Sequence, residues 1–233
     1  MNKQAQAVLL LLFGGAILKA SLSDLYLRYV KEGLRPFLIG AGVLLVAAAV
    51  LTLWDELRGR ADAAGHHHEP AVGWLLLLPV LGLLLVAPPA LGSYAAGQAG
   101  TVLTAPAGES DYPALPPGDP VDLGLLDYAS RALFDDGRSL TGRTLRLTGF
   151  ATPGPDGQPM LARMVLSCCA ADGRPIKVAL SGDVPTGLPA DTWFQVVGTW
   201  TDRTSLDPVN RAEVPYLEVA SWQEITAPKQ PYE

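Results

Sequence analysis

The only two cysteines of the chain are neighbours, Cys168 and Cys169, and they end the apolar run LARMVLSCC at 161–169. A thiolate is both a metal ligand and a nucleophile, so an adjacent pair could hold a soft cation, zinc for example, or cycle through oxidation. Asp172 follows closely in the string Cys-Cys-Ala-Ala-Asp, formed with Ala170 and Ala171. Two thiols alone do not close a structural zinc site, which takes four ligands. Asp172 and Asp183 are candidate oxygen donors, and a shared site would need a second copy of the chain or another protein. The plainer alternative is two packing thiols in the wall of a sheet. A mutual disulfide is disfavoured, because consecutive Cα atoms lie about 3.8 Å apart while unstrained bridges span roughly 4.4–6.8 Å. A second metal-capable group is His66, His67 and His68, set among Asp55, Glu56, Asp62 and Glu69. Imidazoles bind zinc, copper or nickel, and the competing reading is a solvated polar loop.

The remaining chemistry is mostly excluded. No histidine lies beyond His68, which removes histidine-based acid–base and Ser/Cys–His mechanisms from the second half. Residues 93–233 carry ten Lys and Arg against seventeen Asp and Glu. An acidic half without a basic aromatic platform argues against nucleic-acid binding. No phosphate loop, triad or paired-carboxylate spacing is present, so the chain reads as non-enzymatic.

The elements that must position the cysteines are short and strand-like. Five runs, 143–151, 161–169, 175–181, 193–201 and 216–225, are rich in β-formers and separated by Gly, Pro and Asp. They predict a five-stranded OB-like barrel over 122–226, with Gly149 and Gly198 at bends and an open sandwich as the alternative. Asp172-Gly173 predicts a two-residue hairpin turn that pairs Cys169 with Ile176, one thiol facing in and its neighbour out. A short helix capped by Asp122 and carrying Leu125, Ala129 and Leu133 should precede the barrel. Residues 93–121 are mostly Ala, Gly and Pro and predict a linker; 227–233 form a tail. The barrel segment 122–226 is expected to fold alone.

Residues 1–92 are written for a different solvent. Stretches 5–22, 37–54 and 71–87, about 26–27 Å long as helices, are just adequate for a hydrocarbon core of about 30 Å, the first with Lys19 snorkelling, and predict three transmembrane helices. Tyr26, Tyr29, Trp54 and Trp74 suit the interfaces, and Pro79 predicts a kink. A cleaved signal peptide is the rival for the first stretch, but Leu18-Lys19-Ala20 is a poor cleavage triplet. Gly14, Gly15, Gly40, Gly42 and Gly82 offer close approach to partner helices. With three spans and no Lys or Arg from Ser93 to Ser130, the C-terminal domain is expected to be extracytoplasmic.

The strings RMVLSCCAADGRPIKV, LLLVAPPALGSYAA and WFQVVGTW, with the terminal PYE, resemble the YcgQ-like family of bacterial membrane proteins. That resemblance implies a subunit of a two-component permease in the cell membrane, with a C-terminal OB-like domain and a separately encoded multi-span partner. It assigns no catalytic residue. The function expected is therefore an accessory permease subunit, with metal-cation transport suggested by the thiols and histidines. The alternative is a membrane-tethered metal-binding or thiol-redox protein acting through Cys168 and Cys169. Self-association is left open by the sequence.

Overall fold

The chain separates into two compact units, Met1–Pro89 and Ala90–Glu233. The structure, a computed structural model, describes residues 3–58, 81–82, 88–103, 112–154 and 157–233. The expected span at 71–87 with Pro79, and the loop with His66, His67 and His68, lie outside the described residues apart from 81–82, which are helical.

In the first unit, α1 (Lys3–Leu22) and α2 (Arg35–Leu57) form a helical hairpin. Both are long and apolar enough to cross a membrane. Large apolar side chains stay uncovered along α2, Phe37 at 73% and Leu44 at 71%, as suits an apolar surround rather than water. The two helices meet through glycine. A Cβ on Gly14 would lie 2.8 Å from Val46 Cγ2, and one on Gly42 would lie 2.8 Å from Leu18 Cγ. These two glycines, expected to serve partner helices, are thus consumed between α1 and α2, while Gly15 and Gly40 stay open. Arg35 Nε donates to Ser21 O at 3.0 Å and satisfies an orphan carbonyl at the end of α1.

The second unit is a closed barrel. A two-residue strand β1 (Val121–Asp122) lies parallel to β2 (Thr144–Pro153). Strands β2, β3 (Pro159–Val165) and β4 (Arg174–Gly182) form an antiparallel meander. β4 then pairs in parallel with β6 (Glu213–Glu224), β6 antiparallel with β5 (Trp193–Leu206), and β5 with β2, which closes the ring. This is the five-stranded OB-like barrel that the strand pattern predicts. Gly198 sits at a register shift, where a Cβ would stand 2.1 Å from Glu218 O. Inside lie Leu145, Leu147, Leu161, Ile176, Val178, Phe194, Val196 and Leu217. One end is closed by α4 (Leu125–Phe134), whose Leu125, Tyr128, Ala129 and Ala132 join that core.

Three local expectations change. Asp122 does not cap α4: it is extended in β1 and pairs with Arg146 at 3.1 Å, and the cap residue is Gly124. A glycine has no capping side chain, and Glu233 supplies it from the far end of the chain, accepting from Leu125 N and Leu126 N at 3.0 Å each. Residues 227–233 are accordingly more than a tail. Glu233 N donates to Met164 O, and Leu166 N to Glu233 O, at 3.0 Å each. Finally, the expected linker contributes α3 (Ser93–Gln98), which packs on β2, β3 and β4. Small side chains carry no visible periodicity, yet they let a backbone lie flat on a sheet.

Candidate metal centre

The cysteines leave the strand before they can pair. Val165 faces Arg174, and Ile176 faces Arg163, so β3 and β4 are joined by the eight residues 166–173 and not by a two-residue turn. The expected pairing of Cys169 with Ile176, and with it the inside–outside alternation of the thiols, is overturned. The reason is Asp172. Its Oδ1 accepts from Ser167 N at 2.9 Å, and its Oδ2 accepts from Cys168 N at 2.8 Å and Cys169 N at 3.4 Å. A carboxylate that offers the backbone three local partners competes with the sheet ladder, and here it wins. Ala170 and Ala171 complete the device, since Ala170–Asp172 form a single 3-10 turn that folds Asp172 back over the cysteines. Asp172 N donates to Cys169 O at 3.0 Å, and Gly173 N to Ala170 O at 3.2 Å.

As a result Cys168 is exposed and Cys169 half-buried, both as free thiols. Their sulfurs and a carboxylate oxygen of Asp172 all lie within 4.8 Å of one another. Asp183, the other candidate donor, stands just past β4 and is not part of this cluster. The thiol of Cys168 hydrogen-bonds the carboxylate of Asp172, and that bond together with the neighbouring thiol lifts Cys168 to about 11. The same thiol bond and the backbone N–H groups hold Asp172 down at about 2. The Cys168 thiol therefore donates its proton toward the Asp172 carboxylate, and a cation held by these groups would replace that proton. Two thiolates and a carboxylate fit a zinc ion with one position left open. The motif was legible in the sequence; the loop that gathers it was not.

A second cluster went unremarked in the sequence. Lys177 Nζ lies 2.9 Å from Asp207 Oδ2, the two side chains being 3% and 0% exposed. Asp207 also accepts from Thr101 N at 2.9 Å and Val209 N at 2.8 Å. A lone lysine amid IKVALS was the available signal, because a charge in an apolar strand needs a partner when buried. On the outer face of β2 and β3, Phe150, Met164 and Trp193 form a small cluster with Leu91, Ala95, Ala96 and Tyr232. Here the chain's own segments cover the barrel.

Residues 131–233, which include all five barrel strands, both cysteines and the residues of the C-terminal tail, match the family model described as DUF1980 C-terminal domain. No curated protein and no solved structure matches the chain.

Proposed function

We propose that this chain is a non-enzymatic accessory subunit of a multi-span permease, anchored in a bacterial cell membrane. In this reading it presents an extracytoplasmic barrel that captures a thiophilic cation such as zinc at Cys168, Cys169 and Asp172. The observation that carries the reading is the meeting of two thiols and a carboxylate within 4.8 Å on an exposed loop. Soft sulfur donors favour zinc and copper(I) over calcium and magnesium, and an unfilled coordination position suits capture and release better than permanent storage. The anchor rests on α1 and α2, and the permease on the resemblance of the whole sequence to the YcgQ-like family. The thiol-redox alternative is the weaker one, because it gives the Asp172 carboxylate no role and needs a strained bridge between adjacent cysteines.

Purification of the full chain from its native membrane in mild detergent tests both halves. Metal analysis should find about one zinc per chain, lost in the Cys168→Ser/Cys169→Ser variant, while a multi-span protein co-purifies with both forms. Zinc retained by the double serine variant would sink the metal site. A lone chain that carries a solute across liposomes by itself would end the accessory-subunit reading.

A further inference from the structure

Residues 91–102 lie along the outer face of the barrel and are held there through their main chain. Leu91 N donates to Tyr232 Oη at 2.8 Å, Ser93 N to Asp191 Oδ1 at 2.5 Å, and Thr101 N to Asp207 Oδ2 at 2.9 Å. Lys177 Nζ donates to Ala99 O at 3.1 Å, Asn210 Nδ2 to Thr101 O at 2.9 Å, and Val102 N to Pro175 O at 3.4 Å. All but the last join a side chain of the barrel unit to a backbone group of the strap. Of the strap's side chains, Leu91 and Ala96 pack on the barrel, and the glycines Gly92 and Gly100 lie closest to it. A Cβ on Gly92 would stand 2.1 Å from Asp191 Oδ1, and one on Gly100 would stand 2.1 Å from Asn210 Cγ. Ala96 is fully buried against the cluster of Phe150, Ala162 and Met164, whereas Tyr94 is 80% exposed.

A surface that grips backbone groups, takes Leu91 and Ala96 in its apolar part and presses close at two glycines has the features of a peptide-binding site. We propose that this face is one, with residues 91–102 as its tethered ligand. The ligand class is a short Gly/Ala/Ser-rich segment bound by its backbone, and an equivalent segment from another chain can replace it. None of Cys168, Cys169 and Asp172 belongs to the site, although Leu91 lies beside Gly173 of the loop that carries them. Tethering gives the strap an effective concentration of the order of millimolar, so a free peptide at micromolar levels does not displace it.

The test uses the full chain in detergent and a fluorescein-labelled synthetic peptide of residues 90–103, followed by fluorescence anisotropy. Wild-type protein should show no saturable binding. Gly92→Val/Gly100→Val, chosen to crowd the strap against Asp191 and Asn210 without replacing a groove residue, should bind the peptide at least about tenfold more tightly than wild type. Adding Asn210→Ala to that variant should reverse most of the gain. Circular dichroism of Gly92→Val/Gly100→Val should keep the β signal and a cooperative melt. Loss of the fold would show that the strap belongs to the core, which overturns the proposal. A folded variant that ignores the peptide would overturn it too, as would equal binding of a peptide with valine in place of both glycines.

Discussion

Two aspartates in the barrel unit do the same thing in opposite surroundings. Asp172 and Asp207 each gather backbone N–H groups and one further proton donor, a thiol for the first and an ammonium for the second. The partners of Asp172 all lie within five residues of it, on an exposed loop. Those of Asp207 include Thr101, which is 106 residues away, and the site is sealed from solvent. The difference lies in the countercharge. Asp207 already has a cation fixed against it and no access for another. Asp172 has only a thiol proton, and a metal ion can replace a proton. Burial with a built-in ammonium makes a structural pair; exposure with an exchangeable proton leaves room for a cation.

The sharpest way to break that contrast is to remove one member of the buried pair. Asp207→Ala leaves Lys177 buried without its anion and should cost about 3–5 kcal/mol in chemical denaturation of the full chain. Lys177→Met/Asp207→Leu should cost clearly less, since no charge is stranded. Equal losses in the two variants would mean that the ion pair is incidental.

Acid provides the next test. Burial alone would raise the Asp207 carboxyl, but the hydrogen bond from Lys177 and the N–H groups of Thr101 and Val209 outweigh it and hold the group below its ordinary value. A carboxyl lowered by folding stabilises above its unfolded pKa of about 3.9 and loses that contribution as pH falls through the folded value. Stability should therefore fall below about pH 4. Asp207→Asn should flatten that fall, and Asp172→Asn should change it less, because a half-exposed carboxylate is partly screened by solvent.

Chemical reactivity sharpens the other side. Alkylation of Cys168 by iodoacetamide should be slow at pH 8 and rise only toward pH 11, the pKa being held there by the bond to Asp172 and by Cys169. In Asp172→Asn the midpoint should drop toward the ordinary thiol value of about 8.5. The smallest effect is expected from the thiols themselves. Cys168→Ser/Cys169→Ser should change stability by less than about 0.5 kcal/mol while abolishing zinc binding. A large stability loss would return the cysteines to the role of packing groups.

The strands, their order along the chain and the bend at Gly198 could be read from alternation and turn residues, because those signals are local. The register of β3 with β4 could not. Asp172-Gly173 looks like a hairpin turn, and only the carboxylate of Asp172 folding back on three N–H groups moves the turn and frees the cysteines. The cap of α4 escaped for a similar reason. Gly124 offers nothing locally, and its substitute, Glu233, is more than a hundred residues distant.

By itself the sequence determined which half carries long apolar helices and which forms a barrel, and that the chain's thiol chemistry has to come from Cys168 and Cys169. Hydrophobic period and residue chemistry are properties of short windows, so no folding is needed to see them. Only the tertiary structure decided that the thiols share a loop with a carboxylate, that Lys177 has a buried anion, and that a Gly/Ala-rich stretch without apparent pattern lies against the barrel. Each of these depends on hydrogen bonds satisfied by backbone, or on partners distant along the chain, and neither has a signature in the order of side chains alone.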